Sequence, residues 1–374
     1  MFGVTFVFIL HLLLWFYLCS KFKTREQFLA IPPRRYFLLC LFFMLLGLLG
    51  MQQGDYVHYI DILKQIESLK SLYTNYTGYI SHMEPQYVWL THLFHGAYLP
   101  WRFCVFSLQY IVLFFFLRKL KVNTYFMFLL ILILCMHDFV YQRASWGIIL
   151  FCCALMYALR SKQYAYLLLC PVAFLAHKSI IVLFLCLPVL FFRCNKKNLW
   201  LLGGVFLLLV VFITFVFTNT ATLSSYFQQG DYGQEALTQM GKAKSNNFIG
   251  WLMGSSIGNA IGSTPSRLII IFTVIKLAVE TAYQKIKLPR SIEAMLLYSL
   301  TIIILAMAFA VSGKAHSVYV NRVLSMSSLP IAFVIHYFYE NKLIGKKYGV
   351  MAFSVVSFCY LFLFLLEVFY AVVL

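Results

Sequence analysis

Residues 164–192 read YAYLLLCPVAFLAHKSIIVLFLCLPVLFF, two apolar runs broken by Ala176-His177-Lys178-Ser179. Read as one interrupted membrane span, this stretch would move every basic loop after it to the other side of a bilayer. Read as a hairpin of two short spans, 164–176 and 179–192, it keeps the basic loops on alternate connections. The hairpin is therefore the expectation. Thirteen helical residues rise only about 20 Å, against a hydrocarbon core of about 30 Å. His177 and Lys178 should then lie below the outer surface.

The rest of the chain follows the same grammar. Of 374 residues, 62% are hydrophobic and 11% charged, with mean hydropathy +0.84. Soluble domains are about 45 to 50% apolar, so a soluble protein is excluded. Apolar runs predict spans at 2–19, 36–52, 102–118, 123–137, 144–160, 164–176, 179–192, 199–218, 267–284, 291–311, 323–339 and 350–371. Alternate connections collect most of the 30 Lys and Arg, among them Lys21, Lys23, Arg25, Arg34 and Arg35; Arg118, Lys119 and Lys121; Arg160 and Lys162; Arg193, Lys196 and Lys197; Lys285, Lys287 and Arg290; Lys342, Lys346 and Lys347. Basic short loops mark the cytoplasmic side, which places both termini outside. The formal charge of +18 thus reads as topology and not as a nucleic-acid footprint. Phe2–Leu18 lacks a basic leader and a small-residue cleavage site, so a retained span is expected there. The ten cysteines show no C-x-x-C pair, which argues against zinc and disulfide frameworks.

The expected fold is an all-α integral membrane protein of about twelve transmembrane helices in a single polytopic domain, 1–374. Both termini are periplasmic, and two long periplasmic loops cover 53–101 and 219–266. In the first loop, Asp55, Tyr59, Ile62 and Ile66 share the face of an amphipathic helix expected along the membrane interface. Glu84-Pro85 opens another helix, with the acid at its positive end. The second loop, rich in Gly, Ser and Asn from Thr218 to Ser266, reads as a mobile cover.

Ionisable groups inside membrane depth are costly unless they face water or a partner, so they mark function. The outer set comprises Asp55, His58, Glu84, Arg143, His177, Lys178, Lys314, His316 and Arg322. An arginine fork suits phosphate or pyrophosphate, and lysine supplies a point charge. Carboxylates and histidine suit removal of a proton from a sugar hydroxyl. Walker, G-x-G-x-x-G, H-E-x-x-H and paired-acid patterns are missing from the sequence, so neither a cofactor nor a metal is expected.

Gly54-Asp55-Tyr56 with Tyr59, Glu84-Pro85-x-Tyr87, Arg143-Ala144 at a helix start, and Ala173-Phe174-Leu175-Ala176-His177-Lys178-Ser179 together resemble the EpsG-like branch of Wzy-type polysaccharide polymerases. The resemblance runs from about residue 50 to 190. It implies a glycosyltransferase of the bacterial inner membrane that joins undecaprenyl-pyrophosphate-linked repeat units on the periplasmic face. Arg143, Arg322 and Lys178 would hold the leaving pyrophosphate. His177, Asp55 or Glu84 would deprotonate the acceptor hydroxyl, and Tyr56, Tyr59 and Tyr87 are candidates for glycan contact. Expected partners are the lipid-linked glycan, the bilayer and a chain-length regulator, with no nucleic acid. Another lipid-linked glycosyltransferase, an O-antigen ligase, a flippase or transporter of lipid-linked glycan, and a membrane O-acyltransferase remain as alternatives.

Overall fold

The computed structural model describes residues 10, 13–14, 17–18, 20–22, 25–49, 55–68, 85–122, 145–219, 257–312 and 317–343. These residues are helical throughout their regular parts and contain no strand. The chain forms two compact units, Met1–Phe184 and Leu185–Leu374. The predicted spans 123–137 and 350–371 lie outside the described residues, as does most of 2–19.

The first unit contains α1 (Arg25–Leu29), α2 (Pro33–Leu49), α3 (Asp55–Ser68), α4 (Pro85–Leu93), α5 (Tyr98–Leu120), α6 (Ser145–Ser161), α7 (Leu169–Ala173) and α8 (Ile181–Leu185). Proline at the first position of α2 and α4 costs nothing there, because that N–H has no helical partner. On α2, Tyr36 donates to the Phe114 carbonyl at 2.6 Å, and Phe43 packs on Tyr110 and Phe114. These contacts make α2 and α5 antiparallel. Helices α5 and α6 run the same way: Gln109 bonds Ser145 near the start of α6, and Phe116 meets Tyr157 near its end.

The residues after α6 form the hairpin that the sequence predicts. A 3-10 turn (Tyr164–Leu168) and α7 run back along α6, with Tyr166 against Tyr157, Cys170 bonded to the Phe151 carbonyl, and Ala173 at Gly147. The chain then reverses at Ala176-His177. A second 3-10 turn (Lys178–Ile180) and α8 descend again, with Ile180 at Gly147 and Phe184 4.9 Å from Phe151. Both arms therefore pack on one face of α6, and the turn sits beside its N-terminus.

The apolar face expected on the amphipathic helix α3 is present and is covered by protein. Ile62, Leu63 and Ile66 are buried, and Glu67 reaches His92 at 3.1 Å and His95 at 3.5 Å on the turn after α4. Its apolar face is spent on protein contacts.

The second unit contains α9 (Lys196–Thr218), α10 (Ile257–Ala282), α11 (Arg290–Val311), α12 (Ser317–Met326) and α13 (Ser328–Glu340). Two expectations are corrected here. Helix α10 begins at Ile257, inside the stretch read as loop, because its Gly, Ser and Asn residues precede an apolar run long enough to propagate helix through them. The span expected over 323–339 belongs to two helices, α12 and α13, interrupted at Ser327, whose hydroxyl bonds the Leu324 carbonyl at 2.6 Å. Among the described residues, Tyr98–Leu120, Lys196–Val216 and Arg290–Val311 are long and apolar enough to cross a membrane by themselves.

Within each unit the basic turns gather at one end. Arg118 donates to the Ile31 carbonyl in the first unit. In the second, Lys196 lies 4.3 Å from the Tyr283 ring centre, and Glu293 binds Arg193 at 3.0 Å, Arg290 at 3.3 Å and the Cys194 amide at 2.6 Å. Helices α5, α6, α10 and α13 all stop at this end on a left-handed residue, Lys121, Lys162, Gln284 and Lys342. The alternation of basic loops thus has a physical counterpart inside each unit. The Cys194 thiol, which donates to the Ala278 carbonyl, is pushed up to about 12 by burial and by neighbouring Glu293.

Glu293 is the residue through which that end is tied. Its side chain is 9% exposed, whereas Arg193 and Arg290 are 65% and 36% exposed, so water screens much of the ionic attraction. The bond from the Cys194 amide is the part that alanine would leave unmade. Glu293→Ala should cost about 1 to 3 kcal/mol, and Glu293→Gln, which keeps an acceptor, less. Thermal unfolding in detergent checks this: equal midpoints for both variants and the wild type would show that the tie carries no stability.

Candidate functional site

The site begins with a difference in height. Gln109, which bonds Ser145 at the first residue of α6, lies eleven residues along α5 from Tyr98, about 16 Å of helix. Helix α6 therefore starts well below the first turn of α5. The hairpin turn lies at the same depth, because Gly147 faces Ala173, Ala176 and Ile180. An added Cβ at Gly147 would stand 2.6 Å from Ala176 Cβ and 2.7 Å from the Ala173 carbonyl oxygen, so only glycine allows this approach.

Helix α4 reaches down to that floor. Tyr87 packs 4.7 Å from Trp101 on α5, and Gln86 extends beneath it. The Gln86 carboxamide donates to the Ala176 carbonyl at 2.9 Å and accepts from the Trp146 indole at 2.6 Å. Gln86 is 6% exposed and Trp146 7%. One buried side chain therefore joins the start of α4, the start of α6 and the hairpin turn. A carboxamide and an indole N–H this deep need partners, and here they satisfy each other.

Chain connectivity ties several predicted residues to this junction. Glu84 is two residues before Gln86, Arg143 three before Trp146, and His177 and Lys178 directly follow Ala176. Glu84 and Arg143, and the side chain of Lys178, lie outside the described residues. His177 is described: its Nδ1 accepts from the Ser179 amide at 3.1 Å, capping the 3-10 turn over Lys178–Ile180. An Nδ1 that accepts leaves the neutral ring's proton on Nε2.

Other predicted residues belong to other helices. Asp55 is the first residue of α3, about 18 Å along the axis from Glu67, and Tyr56 and Tyr59 share its first turns. The side chains of Asp55, Tyr56 and Tyr59, like that of His58, lie outside the described residues. Tyr87 is fully buried against Trp101, so its position serves packing of α4 on α5 and offers no open face for stacking a glycan. Arg322 lies on α12 of the second unit, its side chain outside the described residues, and Lys314 and His316 are also outside them. Among the described residues no group of three His, Cys, Asp or Glu could hold a metal.

Sequence reasoning missed Gln86, Trp146 and Gly147, which are uncharged, and Arg102. It placed Arg102 at the edge of a span, but α5 starts four residues earlier and Arg102 is buried. Its guanidinium donates to Tyr98 Oη at 3.1 Å and lies 5.0 Å from the Phe106 ring centre. The available signal was polarity in an apolar run: Arg102, Ser107 and Gln109 all fall within the otherwise apolar or aromatic stretch from Tyr98 to Leu117.

The family model of the EpsG family matches residues 35–372. The chain belongs to the EpsG family. That membership suggests a polysaccharide-polymerase type of function, in keeping with a membrane protein built from apolar helices. No curated protein and no solved structure matches the chain.

Proposed function

We propose that this EpsG-family chain is a membrane glycosyltransferase that polymerises undecaprenyl-pyrophosphate-linked repeat units on the periplasmic face of the bacterial inner membrane. The observation that carries the reading is the Gln86 junction, because it gathers three segments whose neighbouring residues are Glu84, Arg143, His177 and Lys178. It does so below the first turn of α5, a depth suited to a substrate whose pyrophosphate lies at headgroup level and whose tail stays in lipid.

In the proposed step, a hydroxyl oxygen at the non-reducing end of the incoming unit attacks the anomeric carbon of the growing chain. The bond from that carbon to the pyrophosphate oxygen breaks, and polyprenyl pyrophosphate leaves. Arg143 grips the departing pyrophosphate through two parallel hydrogen bonds and Lys178 adds charge, stabilising the negative charge that develops. The hydroxyl proton passes to the Glu84 carboxylate. His177, whose Nδ1 is engaged by the Ser179 amide, contributes the Nε2 proton as a hydrogen-bond donor and holds the turn. The role of Arg322 as a second pyrophosphate ligand rests on the sequence resemblance.

Deletion of the gene in its source strain, with analysis of lipid-linked glycans, tests the reading. Loss of long chains with retention of single repeat units is expected; unchanged chains would refute it. In the complemented strain, Arg143→Lys keeps the charge but loses the fork and should lower polymerisation by roughly one to two orders of magnitude, the worth of one charged hydrogen bond at about 1.5 to 3 kcal/mol. Polymerisation at the wild-type level would leave only a point charge at residue 143. For the orientation, cysteines introduced at Ser81 and Asn246 should react with an impermeant reagent applied outside, and those at Asn195 and Gly345 should not. Labelling of Asn195→Cys from outside would reverse the topology.

A further inference from the structure

At the basic end of the second unit, Arg193 Nη1 lies 3.0 Å and Arg290 Nη1 3.3 Å from the same Glu293 carboxylate oxygen. Two guanidinium groups are therefore held side by side with one negative charge between them. Lys196, 4.3 Å from the Tyr283 ring centre, and Lys197 open α9, whose first turn holds no acid. Lys276 and Glu280 on α10 pair with each other at 2.9 Å and leave that surplus unchanged. The cluster is ordered before any ligand arrives: Arg290 donates to the Leu190 and Phe192 carbonyls, Asn198 to the Arg193 carbonyl at 2.7 Å, and the Cys194 amide to Glu293. Such ordering lowers the entropy lost on binding an anion. Arg193 is the member turned outward, 65% exposed against 36% for Arg290, and among the described residues only its Nη1 is engaged. Its Nε and Nη2 remain for an acceptor with two oxygens.

An apolar face begins where these charges end. Lys197, Leu201, Gly204, Leu208, Val211 and Phe215 follow helical spacing along one side of α9, about 27 Å and close to the depth of a hydrocarbon core. Leu201, Leu208, Val211 and Phe215 are all exposed, an added Cβ at Gly204 would meet nothing within 4 Å, and 6% of the apolar core of this span is buried by protein. In a bilayer such a face is covered by acyl chains. Its head is the first turn of α9, on which Asn198 holds the Arg193 backbone. We infer that this corner is a binding site for an anionic phospholipid, with Arg193 and Lys197 on the headgroup phosphate and the acyl chains along α9 from Leu201 to Phe215. Charge decides the headgroup class. Four cations gather here with one carboxylate, and a zwitterionic headgroup would bring them another cation, whereas a phosphodiester of an uncharged alcohol brings only the negative charge. Phe191 and Trp200, 88% and 80% exposed, suit the boundary between headgroups and chains. A soluble acidic protein would answer the charges and leave the face of α9 bare. Occupancy of this corner is independent of the proposed glycosyl transfer.

Full-length protein in neutral detergent, titrated with dioleoyl phosphatidylglycerol and read by native mass spectrometry, tests the site. The wild type should carry a bound phosphatidylglycerol at concentrations where dioleoyl phosphatidylcholine leaves it bare, and its thermal midpoint should rise with the first lipid only. Arg193→Gln combined with Lys197→Gln should weaken that binding by about tenfold or more, the worth of a charged hydrogen bond. Arg193→Lys, which keeps the charge and loses the fork, should fall between. Arg34→Gln combined with Arg35→Gln removes the same charge at the exposed start of α2 and should change binding by no more than about twofold, because screened charges away from the site contribute little. Equal losses in the two double variants would reduce the effect to diffuse attraction and overturn the site, as would equal binding of the two lipids or wild-type binding without Arg193 and Lys197. Excess inorganic phosphate should neither displace the lipid nor raise the midpoint; if it does, the ligand is a free anion and the lipid assignment fails. Binding of soluble polyglutamate in place of phosphatidylglycerol would give the surface to an acidic protein, with the same consequence. Should the Arg193 variants not accumulate, because Arg193 also holds Glu293, the exposed Lys197→Gln alone decides by comparison with Arg34→Gln.

Discussion

Glutamine in place of Glu84 is expected to cut glycosyl transfer by about 10² to 10⁴, the usual worth of a positioned general base. Glutamine in place of His177 should keep transfer within about tenfold, the scale of a lost helix cap of about 1 kcal/mol. The contrast follows from the hairpin turn. His177 Nδ1 receives the Ser179 amide at 3.1 Å, so the ring could take up a proton there only by giving up the cap. A glutamine oxygen can receive the same amide and keep the turn. Glu84, in contrast, directly precedes the helix that Gln86 ties to the floor, and its carboxylate at residue 84 has no equivalent among amides. The assay is glycan length in the complemented deletion strain, with membrane expression measured for each variant. A silent Glu84→Gln together with a dead His177→Gln would reverse the assignment; two silent variants would direct the search for the base to Asp55.

The second large effect is steric. Gly147→Val should abolish long chains and lower thermal stability, because even its first carbon would stand 2.5 Å from Ile180 Cδ1, 2.6 Å from Ala176 Cβ and 2.7 Å from the Ala173 carbonyl oxygen. A methyl end can swing aside, but the carbonyl belongs to the backbone of the first arm, so the hairpin itself must move. Overpacking of this kind costs about 1 to 3 kcal/mol, and the displacement would pull Ala176 from Gln86 and carry His177 and Lys178 away from the floor. Gly203→Ala is the control. An added Cβ there meets nothing within 4 Å, so alanine should be neutral or add up to about 1 kcal/mol through helix propensity. A Gly147→Val protein with normal glycan and normal unfolding would show that the hairpin does not need its seat on α6.

The parts of the fold legible in the sequence are those where hydropathy decides. The spans expected over 144–160 and 291–311 appear as Ser145–Ser161 and Arg290–Val311, because long apolar runs bounded by basic residues leave the backbone few alternatives. The hairpin was legible through the basic loops, whose alternation a single span over 164–192 would break. Less legible was where polar composition meets helix propagation. Ile257 to Ser266 read as loop although the helix runs through them, and Ser327 breaks a run that reads as continuous. In the site, charge drew attention to Glu84, Arg143 and His177, but the residues that join their segments are neutral. Gln86 was an unspecified position between Pro85 and Tyr87, and Trp146 and Gly147 resemble ordinary span residues. Their importance comes from partners distant in the chain, Ala176 above all, and pairing of that kind leaves no periodicity to read.

The first arm of the hairpin has a consequence for the surrounding lipid. Five residues of 3-10 helix and five of α-helix reach only about 17 Å, little more than half of the roughly 30 Å that fatty acyl chains fill. Leu168, Val172 and Phe174 on this arm are 75%, 42% and 40% exposed, an apolar flank too short for an unperturbed leaflet pair. Lipids beside it must compress or tilt, at a cost of a fraction of a kcal/mol for each ångström of mismatch. On the proposed function, such a pinch would lower the headgroups locally toward the level of His177, and a polyprenyl pyrophosphate diffusing past would meet the recess without lifting its phosphates out of the plane in which it travels. Bilayer thickness then becomes a property to which the protein is tuned, and longer acyl chains would work against it as a competing load.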